Sequence, residues 1–226
     1  MSERVAVIIP ALNAAPTIAS VVAGSLAQIE TVLVVDDGSQ DGTGEIAARA
    51  GAVVLRHEVN RGKGAALKTG FAWALEHGFD GVVTLDADGQ HLPGEIKRIL
   101  EARRGTGADL VIGGREHLFA QMLARRRMAN RFSAWSIGLA SRTGVTDSQS
   151  GFRYYSVRLL RGVDLHSDGF SMESEIIVLA GWKGFKVVMT PIDLGFVDGV
   201  STSHYRPVLD TLRIAWTVLY TRLFRR

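Results

Sequence analysis

An α/β domain built on a mostly parallel sheet flanked by helices is the fold class this sequence predicts, and three observations lead there. Short apolar runs, such as VAVII at Val5 to Ile9, read as strands buried on both faces. Strand-like and helix-like stretches alternate five times by Ile112, the rhythm of a sheet covered on both sides. The run Val82 to Leu85 ends in Asp86-Ala87-Asp88, as when a buried strand delivers carboxylates to the sheet edge where ligands bind.

The elements follow in order. The strand Val5 to Ile9 is stopped by Pro10 and a loop through Asn13, and Pro16 or Thr17 opens a helix to about Gln28. Thr31 to Val35 is the second strand; Asp36-Asp37-Gly38-Ser39 closes it, and Asp41 or Thr43 caps a helix through Ala50. Ala52 to Leu55 is a short third strand, and the loop Asn60-Arg61-Gly62-Lys63-Gly64 leads into a helix from Ala65 to His77. After the fourth strand, Pro93 to Arg103 is a helix and Ala108 to Ile112 a buried strand. Phe119 to Arg142 reads as a long Arg-rich helix, Asp147 to Arg153 as a polar return to the sheet edge, Ser171 to Trp182 as a helix and Lys186 to Ile192 as a late strand. The sequence therefore predicts a domain over residues 1–205 and a C-terminal amphipathic helix over 206–226, with Leu209, Leu212, Trp216, Leu219 and Leu223 on one face.

Composition narrows the classes. With 226 residues, 46% hydrophobic and 22% charged, the chain has enough material for one substantial core. The absence of Cys excludes disulfides, thiolate metal sites and a cysteine nucleophile. No charge occurs from Val5 to Ile29, but Pro10, Asn13 and Pro16 interrupt that stretch and Glu3 sits beside Arg4, which argues against a signal peptide. No unbroken apolar run is long enough to span a bilayer. The net charge of +3 hides a cluster: from Arg115 to Arg161 there are nine Arg, no Lys and only Glu116 and Asp147 as acids. Grouped guanidinium ions suit phosphate or an anionic surface.

Several constellations carry chemistry. Strand alternation would turn Asp86 and Asp88 to one side, where with Gln90 they offer hard oxygens to a divalent cation. Asp36 and Asp37, at the tip of the second strand, are placed to accept hydrogen bonds from a nucleobase or ribose, or to cap the following turn. Lys63 lies between two glycines that allow close approach to a phosphate. Neither the GxxxxGK[ST] loop of P-loop ATPases nor the GxGxxG of nicotinamide-binding domains is present. His57, His77, His91, His117, His166 and His204 show no metal-binding spacing and read as surface or capping residues, with His204 in a loop able to fold over a site. Asp147, Glu173 and Glu175 are candidate bases.

Taken in order, VIIPALN, VDDGS, NRGKGAAL, DADGQH and SGFR resemble the family 2 glycosyltransferases of GT-A fold, most closely the dolichyl-phosphate mannose synthase and polyprenyl-phosphate glycosyltransferase branch. The resemblance covers roughly Val5 to Val197. It implies a GT-A domain with nucleotide-sugar contacts at Pro10, Leu12, Asn13, Asp37, Lys63, Asp86 and Ala87. It also implies Mg2+ or Mn2+ at Asp86, Asp88 and Gln90, and acceptor contacts at Arg115, Arg127, Arg131, Ser150 and Arg153. Two departures are visible. The first loop often continues Asn-Glu in this family, whereas Ala14 follows Asn13 here. The polyprenyl branch often carries membrane-spanning helices or a distinct basic tail, where a single amphipathic helix is expected here.

The activity so implied is inverting transfer of a hexose from a GDP-mannose or UDP-glucose type donor to a polyprenyl or dolichyl phosphate. Asp88 would serve catalysis through the metal, stabilising charge on the departing diphosphate. A lipid phosphate is already ionised at neutral pH, so no strong base is needed; a hydroxyl acceptor would need one, for which Asp147 or Glu173 are the candidates. The alternatives are the same fold acting on a glycan or lipid hydroxyl, a non-catalytic nucleotide-sugar binder, and a nucleotidyltransferase. The partners implied are the donor, a lipid phosphate and, through the C-terminal helix, the inner face of the cell membrane, with no nucleic acid. The expected location is the cytoplasm, peripheral on that membrane.

Overall fold

The computed structural model describes residues 3–115, 137–167, 169 and 171–195. The expected long helix Phe119 to Arg142 falls inside that description only over its helical end, residues 137–141, and the helix expected over 206–226 lies outside it.

Seven strands form one sheet: β1 (Val5–Ala11), β2 (Val32–Asp36), β3 (Val53–Arg56), β4 (Gly81–Thr84), β5 (Leu110–Gly114), β6 (Arg153–Ser156) and β7 (Val187–Pro191). Their order is β3-β2-β1-β4-β6-β5-β7, and only β6 runs antiparallel to its neighbours. The chain winds outward from β1 through β2 to β3, then returns to the other side of β1 as β4. The switch point of the sheet therefore falls between β1 and β4, where a crevice for ligands opens at the carboxyl ends.

The helices are α1 (Ile18–Leu26), α2 (Thr43–Arg49), α3 (Lys63–Glu76), α4 (Ile96–Thr106), α5 (Val157–Gly162) and α6 (Ser171–Trp182). Alternation along β1 divides the core. Ala6 and Ile8 face α3 and α6 with Leu67, Phe71, Met172 and Ile176, while Val7 and Ile9 face α1 and α4 with Ile18, Val22, Ile96 and Ile99. Burial on both faces is why these strands read as continuous apolar runs.

Pro10 stands inside β1 without harm. Carbonyls of its parity face β4, as the bond from Leu85 N–H to Ile8 O shows, and the β4 pairing has already stopped at Ile8 and Thr84. Its missing N–H thus costs no ladder bond.

Two findings differ from the sequence expectation. The segment after the SGFR loop is a strand, β6, followed by α5; RYYS is only four residues long and wholly buried, so it carries no alternation to read. The third helix starts at Lys63 rather than Ala65, with Gly62 as its cap at φ +94°, so the lysine rides on the first helical turn.

Candidate active site

Loops from the carboxyl ends of β1, β2 and β4 meet at the switch point. After β1, Asn13 adopts a left-handed φ of +51°, a conformation Asn tolerates. Its N–H donates to Ser39 Oγ (2.9 Å) and its Oδ1 accepts from Gln40 N–H (3.0 Å). Ala14 N–H donates to Thr43 Oγ1 (2.8 Å) and Ala15 N–H to Asp41 Oδ2 (2.9 Å), so the loops after β1 and β2 form one ledge. Leu12, half-buried, sits on the same ledge. Thr17 Oγ1 donates to the Ala87 carbonyl (2.6 Å), fastening the ledge to the acidic turn.

Asp37, nearly buried, accepts from His57 Nδ1 (2.6 Å) and Arg61 N–H (2.9 Å) at Oδ1 and from Gly62 N–H (2.8 Å) at Oδ2. Its carboxylate thereby holds the glycine loop. Asp36 is fully buried; its Oδ1 accepts from Ser39 N–H (2.8 Å).

The acidic pair is arranged differently from the strand-edge expectation. β4 pairing ends at Thr84, so Asp86, Ala87 and Asp88 lie beyond the strand, the last two in a turn rather than at alternating strand positions. Asp88 Oδ1 accepts from Gln90 N–H (3.0 Å). Asp86 Oδ1 lies 2.6 Å from Lys63 Nζ, and Lys63 Nζ lies 3.0 Å from Glu173 Oε2 at the start of α6. Burial alone would push the Lys63 ammonium toward neutrality, but Asp86 and Glu173 hold it protonated, above the usual lysine value. Burial would likewise raise Asp86, yet the charge of Lys63 keeps it down at about 2. Asp88 goes the other way: burial first, then the negative charge of Asp86, push it above the ordinary carboxylate range.

That contrast bears on whether a cation fits here. Asp86 has an internal counter-ion, whereas Asp88 faces negative potential without an equal one, which a divalent cation would relieve. Asp86, Asp88 and Gln90 are hard oxygen donors of the kind Mg2+ and Mn2+ take. Among the described residues no group of three or more His, Cys, Asp or Glu is placed to hold a metal ion by itself.

The loop Asp147 to Phe152 covers the lysine. A Cβ added at Gly151 would lie 2.7 Å from both Asp86 oxygens and 2.8 Å from Lys63 Nζ, so only glycine lets the backbone come this close. Arg153, fully buried, hangs this loop on α6: Nε donates to the Ser150 carbonyl (2.7 Å) and the two terminal nitrogens to the carbonyls of Ser148 (2.7 Å) and Glu173 (2.6 Å). Ser150 is also buried, and its Oγ accepts from Phe152 N–H at 3.4 Å. Arg115, after β5, grips Asp147 with two bonds, Nε to Oδ2 (2.8 Å) and a terminal nitrogen to Oδ1 (3.1 Å). Arg127 and Arg131 lie outside the described residues, as does His204.

Two buried histidines belong to the site although the sequence marked them as surface or capping. His91 lies under the acidic turn with its ring 5.4 Å from that of Phe152, and its Nδ1 accepts from Asp86 N–H (3.2 Å). An accepting Nδ1 carries no proton, so the ring is neutral. Burial outweighs the attraction of Asp86 and lowers its pKa to about 4. Between there and the ordinary value of 6.5, the folded chain binds fewer protons than the unfolded one, so stability falls as pH drops through that window. The full loss is about 3 kcal/mol. Urea unfolding at pH 7 and pH 4.5 is expected to show a large part of this difference, and His91→Phe to flatten it. The sequence signal for both histidines was position alone: His57 directly follows β3, and His91 follows the acidic turn.

The chain is similar to known proteins. The model of glycosyl transferase family 2 matches residues 6–163. The polyprenol monophosphomannose synthase of Mycolicibacterium smegmatis is 35% identical over 92% of this chain and 85% of its own. The undecaprenyl-phosphate mannosyltransferase of Micrococcus luteus is 36% identical over 71% of this chain and 70% of its own. A solved structure of glucosyl-3-phosphoglycerate synthase from Mycobacterium tuberculosis, in complex with Mn2+, uridine diphosphate and glucosyl-3-phosphoglycerate, has the same fold. Its TM-score is 0.66 at 24% identity, with 98% of this chain and 80% of that one covered. A GT-A sheet with its acidic turn at the switch point, matched by the family model over most of its length, makes this chain a member of glycosyl transferase family 2.

Proposed function

We propose that this glycosyltransferase moves a hexose, with inversion, from a GDP-mannose or UDP-glucose type donor to a polyprenyl phosphate. The observation that carries the acceptor choice is the state of the two carboxylates available as bases. Asp147 is held in the two-bond grip of Arg115, and Glu173 shares Lys63 with Asp86. Carboxylate oxygens already engaged by a cation are not free to turn toward a hydroxyl, so a hydroxyl acceptor would find little help. A phosphate brings its own negative oxygen.

The displacement forms a bond from that oxygen to the anomeric carbon and breaks the bond from that carbon to the donor diphosphate, which leaves with both electrons. Asp86, Asp88 and Gln90 are the residues to hold Mg2+ or Mn2+, which when bound neutralises charge on the departing diphosphate. The ledge of Pro10, Leu12 and Asn13, with Asp37 and Ala87, is the proposed nucleotide seat, and Lys63 adds a fixed positive charge beside it. Arg115, with Arg127 and Arg131, is proposed to meet the acceptor phosphate. Ser150 and Arg153 form and hold the covering loop beside it. The two mannosyltransferase relatives, named for polyprenol and undecaprenyl-phosphate chemistry, support the lipid class. Among the described residues no helix is long and apolar enough to cross a membrane. We assign membrane contact to the helix expected over 206–226, whose Leu and Trp face and Arg residues suit an anionic interface on the cytoplasmic side.

The test is release of nucleoside diphosphate by the full chain in detergent with GDP-mannose or UDP-glucose. Release is expected only when undecaprenyl phosphate and Mg2+ or Mn2+ are both present. Equal turnover with a soluble sugar acceptor would reject the lipid phosphate.

A further inference from the structure

We propose that His57 is a positioning residue for the donor site, acting through Asp37 on the loop that carries Lys63; the inference rests on the function proposed above. His57 is buried and contacts no atom of the acidic turn in the described hydrogen bonds, yet it joins three elements. Its N–H donates to the Asp36 carbonyl (2.9 Å) at the end of β2, its Nδ1 lies 2.6 Å from Asp37 Oδ1, and its Nε2 lies 3.0 Å from Thr69 Oγ1 on α3. A carboxylate only accepts, so the proton of that 2.6 Å bond sits on Nδ1. The ring is thereby oriented as in a carboxylate–imidazole–hydroxyl relay, although the hydroxyl here is a mid-helix anchor.

The relay leads to the active turn in four steps. His57 fixes the Asp37 carboxylate. Asp37 accepts from the Arg61 and Gly62 amides, at 2.9 and 2.8 Å. Gly62, at φ +94°, caps α3, and Lys63 on its first turn reaches Asp86 at 2.6 Å. The loop has little room to drift toward β2, because a Cβ at Gly38 would lie 2.8 Å from Asn60 N and from the Val59 carbonyl carbon. The Gly62 amide has a second acceptor in Asn60 Oδ1 (2.9 Å), so the Arg61 amide is the more sensitive reporter of the Asp37 contact.

The experiment compares three variants of the full chain. Asn places an amide N–H where Nδ1 stood and keeps the bond to Asp37, whereas Gln mimics Nε2 and keeps the bond to Thr69. His57→Ala is expected to speed hydrogen exchange at the Arg61 amide at least tenfold. It should raise the Kd for GDP or UDP with Mg2+, and the donor KM, about tenfold, with a smaller fall in kcat. His57→Asn should restore most of both effects and His57→Gln should not. Should His57→Ala fail to fold, the Asn and Gln comparison decides alone. Unchanged exchange at Arg61, or rescue by Gln equal to that by Asn, overturns the proposal. If the wild type binds neither nucleotide, the proposed function fails, while exchange at Arg61 still judges the relay.

Discussion

Asp88→Asn is expected to lower kcat about a thousandfold, roughly 4 kcal/mol of transition-state stabilisation, and to leave the melting temperature unchanged or raised. Both halves follow from the same geometry. Asn keeps the Oδ1 acceptor for Gln90 N–H, so the turn is retained. What disappears is the negative charge, which the fold itself disfavours: burial and the adjacent Asp86 push the Asp88 carboxyl upward. A charge held against its own desolvation is the kind of cost retained for function, so removing it relieves the apo protein while disabling the proposed cation site. Calorimetry without metal, Mn2+ titration with and without UDP, and turnover of the donor check each part. A thousandfold loss accompanied by a large fall in melting temperature would mean that Asp88 is structural instead.

Arg153→Met is expected to destabilise the chain by about 3 to 5 kcal/mol, read as a lower urea midpoint. The side chain is among the largest fully buried ones, and its guanidinium satisfies the carbonyls of Ser148, Ser150 and Glu173. Methionine fills similar volume but removes the donors that Arg153 gives to three buried carbonyls. It also removes the cation 4.0 Å from Glu173 Oε1, an oxygen with no hydrogen bond among the described residues. Arg153→Lys is expected to recover little, since one ammonium cannot reproduce the planar spread of donors across three carbonyls. Donor turnover should fall with stability, because the same loop places Gly151 against Asp86 and Lys63.

Much of the scaffold was legible along the chain. Strands buried on two faces are written as apolar runs, and the expected Val5 to Ile9, Thr31 to Val35 and Ala108 to Ile112 fall within one or two residues of β1, β2 and β5. The acidic pair was legible through its place after a buried run and its order among the other motifs, whereas its setting in a turn beyond the strand was not. β6 was not, because RYYS is short, buried on both faces and antiparallel between two strands far away in sequence. His57 and His91 read as surface or capping residues because burial of a single polar ring leaves no periodic trace.

By itself, then, the sequence determined the layering of the domain, the set of loops at its ligand edge and the family to which its ordered motifs point. These are local properties, carried by hydrophobic period, turn chemistry and motif order. Only the tertiary structure decided that Lys63 bridges Asp86 and Glu173, that Arg115 occupies Asp147, and that Arg153 holds the covering loop from within. Each of those pairings joins segments distant in the chain, and charges choose partners by distance and burial, which exist only once the sheet has formed.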